Sequence, residues 1–269
     1  MVQNFLKKSL SLLLRQQTNI LSAAFIIMAT VIFSQVLGVL RTRLLFSIFG
    51  PSNTLGIYNY ASILPDTIFQ LTIASALASA FIPVFSEYLV KGQEKEAHKM
   101  ASTLLAIGLI IFAIFSIILA IFARQTLTIF NGGQNFSKSD MDLMANLMII
   151  VTVGQLIFIV GTFFSALLQS YNHFFIPGIA AAFYNVGIII GIILFQQAFG
   201  IYAAAFGIVL GAIIFVLLQI PLAKKVGFSF VPSLSFLKEK GLNRIFALMW
   251  PRTIQVGVQQ LGTIVLAAL

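Results

Sequence analysis

Four polar side chains stand in one stripe along an otherwise apolar stretch: Asn59, Ser62, Asp66 and Gln70. At about 100° per residue they fall within about 80° of one another on a helix. Pro65 sits inside the stripe. Having no N–H, it frees the carbonyl of Ala61, so a kink is expected there. A carboxylate in such a helix needs water, a cation or an arginine. A polar stripe around a kink can line an aqueous cavity, or act as hydrogen-bonding glue between helices. The preceding apolar stretch supplies an arginine. There Ser34, Gln35, Gly38, Arg41 and Thr42 share an arc of about 120°, and Arg43 lies on the opposite side. Arg41 offers a planar, permanently charged fork that fits phosphate or carboxylate oxygens, and Gly38 leaves room for close approach. A helix ending at Leu40, with both arginines among lipid headgroups, fits the same residues. On the cavity reading, Asp66 is expected to neighbour Arg41 and hold it between substrates.

Two further polar sets are less specific. Gln155, Thr162, Ser165 and Gln169 fall within about 80° and carry no charge, which fits either the same cavity or helix packing. Arg252, Gln255, Gln259 and Thr263 repeat the spacing of the Asn59 stripe just after Pro251. Arg252 lies about 12 Å of helix rise beyond Arg244, so it can line the cavity or reach back to the membrane surface. The candidate binding set is therefore Ser34, Gln35, Gly38, Arg41, Asn59, Ser62, Asp66, Gln70, Arg252 and Gln259, with Pro65 as the kink. His98 and His173 read as loop residues without metal-ligand spacing. With no cysteine, no Gly-rich phosphate loop, no zinc motif and no serine elbow, the sequence gives no support for an enzyme, a metal or a cofactor.

Something must hold these groups at depth, and composition says what. Of 269 residues, 59% are hydrophobic and 9% charged, with mean hydropathy +1.03. Soluble domains run near ~25% charged, so this is a polytopic membrane protein. Six runs reach the ~20 apolar residues a spanning helix needs. They start near Ile20, Gly56, Met100, Leu143, Phe174 and Ile201, and end near Phe49, Tyr88, Phe130, Tyr171, Phe195 and Leu222. A seventh begins near Ile245. The ~10-residue alternation of a β-barrel is absent, so the fold class is all-α. Gly187-x-x-x-Gly191 and Gly207-x-x-x-Gly211 predict close packing of the fifth and sixth helices. Turn chemistry marks Gly50 to Asn53, Asn131 to Gly133 and Tyr171 to His173.

The net charge of +9 is unevenly placed. Lys7, Lys8 and Arg15, then Lys91, Lys95 and Lys99, then Lys224, Lys225, Lys238, Lys240 and Arg244 all fall at one membrane face. Arg124 and Lys138 fall at the other, beside Asp140 and Asp142. The positive-inside rule makes the first face, and the N-terminus, cytoplasmic. Loop lysines of this kind orient helices rather than bind nucleic acid. Residues 1–19, with Phe5, Leu6, Leu10 and Leu13 around Lys7 and Lys8, are expected to lie along the cytoplasmic interface; so is Phe228–Leu242, within a basic linker at 224–243. Residues 20–223 then form the six-helix unit. Residues 244–269 form most of a seventh helix, still apolar at Leu269, and the chain is expected to be cut from a longer one.

Ser34 to Arg41, Phe49-Gly50, Leu64-Pro65-Asp66 and the block Ala80 to Tyr88 resemble the opening of MurJ (MviN-type) lipid II flippases, of the MOP exporter superfamily. The likeness continues through Leu168 to Asn172, Pro177, Tyr184-Asn185 and Met249-Trp250-Pro251. It implies two six-helix lobes and a final helix pair around a V-shaped cavity, this chain being the N-terminal lobe and most of the seventh helix. It implies flipping of lipid II, an undecaprenyl-diphosphate-linked cell-wall precursor, from the inner to the outer leaflet by alternating access. The power would come from membrane potential or ion coupling, with no cofactor.

The resemblance carries one family arginine over to Arg41, which would bind the diphosphate. Gln35 and Phe69 stand where the family has arginines, Thr42 and Gly56 where it has acids, and the essential arginine of the eighth helix lies beyond Leu269. The implied setting is the bacterial cytoplasmic (inner) membrane. The partners are lipid II or a related polyprenyl-diphosphate-linked glycan, membrane lipids and the missing C-terminal lobe, in a full-length monomer. Another polyprenyl-linked glycan exporter of the MOP type, or a non-transporting membrane scaffold, are the alternative functions.

Overall fold

The computed structural model describes residues 16–17, 19–74, 77–130, 136–232 and 240–268. The expected interfacial segment falls almost wholly outside them, as do the Asn131 to Gly133 turn and residues 233–239 of the linker. Helix α1 (Ile20–Phe49) starts where the Asn19 side chain accepts a hydrogen bond from the Leu21 N–H at 2.9 Å. It runs through both Arg41 and Arg43, so the helix does not end at Leu40. It stops at Gly50, whose φ of 62° favours a residue without Cβ.

Helix α2 (Asn53–Phe69) is capped by Ser52, whose hydroxyl accepts from the Leu55 N–H at 3.3 Å. It passes through Pro65 as continuous α-helix; the proline is buried, and the helix packs against α6 (Lys138–Ser170). Irregularity comes later, as two π-helical segments at Gln70–Ala74 and Leu77–Phe81, before α3 (Ile82–Val90). The expected third run is divided at Phe122 into α4 (Glu94–Ile121) and α5 (Ala123–Phe130). Helix α6 opens with a capping box between Ser137 and Asp140. Then follow α7 (Phe175–Phe199), α8 (Tyr202–Lys225) and α9 (Lys240–Ala268).

No strand occurs among the described residues. Helices α1, α4, α6, α7 and α8 are each long and apolar enough to cross a membrane. The second expected span is instead a composite of α2, the π segments and α3. The helix of the seventh, α9, is lengthened and made less apolar by Lys240, Arg244 and its polar stripe.

Packing follows from small residues. A Cβ at Gly187 would fall on the Gly211 backbone, and one at Gly191 on that of Gly207, so the two glycine motifs close against each other and seat α7 on α8. Helix α6 is central and touches α8, α2 and α4, whereas α1 docks on α7 and barely touches α2. Gln219 on α8 is fully buried and fully paired: its amide donates to the Gly161 and Phe215 carbonyls at 3.0 and 2.9 Å, and accepts from Ser165 at 2.8 Å. Ser165 is thereby packing glue, one of the two readings open to it from sequence.

The buried apolar side chains form two clusters. One gathers Leu45, Leu55, Ile57, Leu64, Leu147 and Ile188; the other gathers Phe69, Phe81, Phe85, Met100, Phe163 and Ile245. At the edge of the second cluster, His98 departs from the loop expected of it. It lies in the second turn of α4, its Nε2 2.7 Å from the Tyr171 hydroxyl, its ring stacked on Phe85 and edge-on to Phe228. Burial pushes the Tyr171 phenol up to about 12, so it stays protonated at neutral pH. Phe228, expected at the membrane surface, packs into the bundle against His98, Phe163 and Phe164. His173 is buried at the turn after α6, where Asn172 takes a φ of 60°.

Candidate functional site

Between the two apolar clusters lies a cavity of about 440 Å³, walled by Arg41 from α1, by Ile63, Asp66, Thr67, Phe69 and Gln70 from α2 and its continuation, by Gln155 and Phe158 from α6, and by Tyr184 from α7. Asp66, in the last turn of α2, and Gln70, at the start of the first π segment, are both exposed and both line this space. Arg41 is half-buried at its edge, and Arg43, on the other side of α1, is exposed. A basic, an acidic and two amide side chains thus meet in an aromatic-walled space within a bundle of apolar helices.

Asp66 and Arg41 are neighbours across this space, as expected, but they are not directly paired. The Asp66 carboxylate accepts a hydrogen bond from Gln155 Nε2. No ion pair within 4.0 Å joins it to Arg41 among the described residues. The reason is helix adjacency: α2 lies along α6, not along α1, so its polar face meets Gln155 first. Arg41 keeps its guanidinium toward the cavity.

Of the residues chosen from sequence, the cavity brings together Arg41, Asp66 and Gln70. Ser34 and Gly38 lie nearby on α1 but face Asn185, which donates to the Ser34 carbonyl and hydroxyl at 3.3 Å each. Gln35 and Asn59 are exposed, and the Ser62 hydroxyl donates to its own helix at Tyr58. Arg252 is exposed and donates to Gln255 at 3.0 Å; Gln259 is exposed as well. None of these seven is a wall residue of the cavity. Sequence reasoning left Gln155 undecided and gave Tyr184 and Phe158 no role at the site. A polar stripe on the fourth span flagged the first, while nothing in an apolar run distinguishes the other two.

Ring contacts brace the wall: Phe158 stacks on Phe215 at 4.9 Å and meets Tyr184 at 4.7 Å and Phe69 at 5.5 Å. A second cavity, of about 260 Å³, is apolar and lies beside the π segments, between Leu71, Leu105, Gly108, Phe163 and Met249.

Apolar helices enclosing a polar cavity with a charged residue from each of two helices make the class a multi-pass membrane transporter. Comparison with known proteins narrows it. A family model described as lipid II flippase MurJ matches residues 45–269, and the chain belongs to that family, whose members are transporters rather than enzymes. Relatives include a probable lipid II flippase MurJ of Borreliella burgdorferi, 26% identical over 236 residues, covering 86% of this chain and 45% of the relative. The lipid II flippase MurJ of Burkholderia cenocepacia is 27% identical over 263 residues, covering 92% and 49%. The chain spans about half the length of these relatives. Among solved structures, a lipid II flippase MurJ in an inward closed conformation superposes with TM-score 0.71 at 23% identity, over 91% of this chain and 50% of that one. The Vibrio cholerae MATE transporter VcmN in its bent form gives 0.72 at 14% identity, over 92% and 57%. At these identities the structures establish a shared fold.

Proposed function

We propose that this chain forms the N-terminal lobe and most of the seventh helix of a lipid II flippase in the bacterial cytoplasmic membrane, and that Arg41 receives the diphosphate of the lipid-linked substrate. The observation that carries the reading is the division of labour in the cavity. Gln155 occupies the Asp66 carboxylate, so the guanidinium of Arg41 stays open to an anion from the cavity. Moving a diphosphate through a low-dielectric bundle requires such a cation, and arginine meets phosphate oxygens two at a time. The prenyl chain stays in lipid, while Gln70, Thr67 and Tyr184 offer hydrogen bonds to the headgroup. A lobe of this kind works against a second lobe by alternating access, driven by membrane potential or ion flow. Lys91, Lys224, Lys225 and Arg244 lie at one end of the bundle, where Arg244 and Lys91 both pair with Glu87, and support a cytoplasmic N-terminus.

One observation favours a second substrate. Phe69, where the family resemblance implies an arginine, is buried against Phe158, so this cavity offers less positive charge. A polyprenyl-linked glycan other than lipid II, with a smaller anionic headgroup, fits that loss. The test is rescue of a MurJ-depleted bacterium by the reading frame that contains this chain. Growth restored with Arg41 intact and lost with Arg41→Ala at equal membrane levels supports lipid II. No growth from a well-inserted form with Arg41 intact contradicts it and favours the other glycan.

A further inference from the structure

Helix α1 has little in its apolar pattern to fix its rotation. Val36, Val39 and Leu40 are exposed on different sides of it, and Thr30 and Leu45 are its buried residues. In a bilayer, turning one apolar face outward for another costs little, because lipid tails are as apolar as leucine. Arg41 does not fix the rotation either. It lies about 12 Å of helix rise before Phe49, so from a turned helix its guanidinium reaches the headgroups.

Two contacts with α7 break this symmetry. A Cβ at Gly178 would fall on the Thr30 side chain, so Thr30 is seated directly on α7. About two turns further on, Asn185 is 8% exposed, and its Nδ2 donates to both the carbonyl and the hydroxyl of Ser34 at 3.3 Å. Gly38, one turn beyond Ser34, passes the same amide without a side chain. At about 100° per residue, Thr30, Ser34, Gly38 and Arg41 fall within about 80° of one another. The face of α1 that meets α7 is therefore the face that carries Arg41. Tyr184, the neighbour of Asn185, walls the cavity, so α7 offers one residue to the cavity and the next to α1.

We propose that Asn185 is a positioning residue: by holding Ser34 it sets the rotation of α1 and aims Arg41 into the cavity instead of the headgroups. The rotation lock stands on this geometry alone. What Arg41 then receives rests on the function proposed above.

The test exploits the absence of cysteine from the sequence. Arg41→Cys gives the chain a single thiol at the critical position and removes the charge, which leaves α7 to set the rotation. In zwitterionic nanodiscs, a charged methanethiosulfonate labels that thiol from cavity water, and a lipid-soluble maleimide labels it from the bilayer. The ratio of the two rates reports the balance of rotations. Adding Asn185→Leu, which keeps the volume and removes the donor, should lower the ratio at least about fivefold, the population shift that one ordinary hydrogen bond commands. The same ratio for Gln70→Cys, on the facing wall, should not move, which separates a turned helix from a disturbed fold. An unchanged ratio at position 41 overturns the proposal, and so does an equal fall at position 70.

Binding supplies the second readout. In native mass spectrometry of the purified chain with undecaprenyl diphosphate, Asn185→Leu should weaken the adducts at least about fivefold, and should add no loss once Arg41→Ala is present. A loss from Asn185→Leu that persists without Arg41 overturns the positioning role, because the residue then acts by another route. A fall in the labelling ratio beside adducts that ignore Arg41→Ala leaves the lock in place and overturns the diphosphate role of Arg41.

Discussion

Asp66 and Arg41 share a cavity, yet the Asp66 carboxylate is held by Gln155 on α6 and not by the guanidinium. This sets acid and base to separate tasks. The acid is positioned by a neutral amide with the guanidinium in the same cavity but not paired to it, and the base stays open toward the cavity. An ion pair in the same place would have neutralised both.

The pairing predicts an asymmetry between its two members. Gln155→Leu removes a charge-assisted hydrogen bond but also removes a buried acceptor that has no partner, and Asp66 keeps contact with cavity water. The net cost should be under about 1 kcal/mol. Asp66→Leu leaves both ends of the Gln155 amide unmet and should cost about 1–3 kcal/mol. Melting of the purified chain in detergent compares them, and equal destabilisation would argue that Gln155 is better satisfied than its surroundings indicate.

The seam between α7 and α8 predicts a sharp contrast among glycines. Gly187→Val places a side chain on the Gly211 backbone, and Gly191→Leu does the same at Gly207; neither neighbour can move aside as a side-chain tip would. Both should abolish a monodisperse peak in size-exclusion chromatography. Gly56→Ala meets nothing within 4 Å and should be neutral or stabilising by up to about 1 kcal/mol, since alanine is the better helix former.

Gln219 ties α8 to α6 from a fully buried position. Gln219→Leu leaves the Ser165 hydroxyl without its cross-helix acceptor and removes the added bond to the Gly161 carbonyl, and should cost about 1–3 kcal/mol. Ser165→Ala removes one bond of the same network and should cost nearer 1 kcal/mol. Thermal melting again reads both, and a neutral Gln219→Leu would show that apolar packing alone holds the pair.

Tyr171→Phe removes the hydrogen bond to His98 and keeps the ring against Phe85. Because the phenol titrates only near 12, the bond persists through the neutral range, so the loss of about 0.5–1.5 kcal/mol should be the same at pH 7 and pH 9. A difference in melting that vanishes at pH 9 would contradict this.

The period of the polar residues made Arg41, Asp66 and Gln70 legible, because a helix turns side chains into register whatever it packs against. The glycine motifs were legible for the same reason: two small-residue stripes on consecutive helices have only each other to meet. Partnership was not legible. Asp66 shares the cavity with Arg41, as expected, but its hydrogen bond comes from Gln155, because α1 docks on α7 and leaves α2 to α6. His98 looked solvated beside Lys95 and Lys99, since its aromatic contacts come from Phe85, Tyr171 and Phe228, which no local pattern joins. Ser165 belonged to Gln219, a lone amide in an apolar helix whose partner lies 54 residues away.

The central claim, that Arg41 is the cavity group for a lipid-linked diphosphate, is tested most directly by native mass spectrometry of the purified chain with lipid II and undecaprenyl diphosphate. Arg43 is the internal control, being the same residue type two positions along α1 and on its other side. The account predicts adducts with both ligands that fall at least about tenfold with Arg41→Ala and persist with Arg43→Ala, since one bidentate charge-assisted pair is at stake. Equal loss with Arg43→Ala, or adducts indifferent to Arg41→Ala, would contradict it.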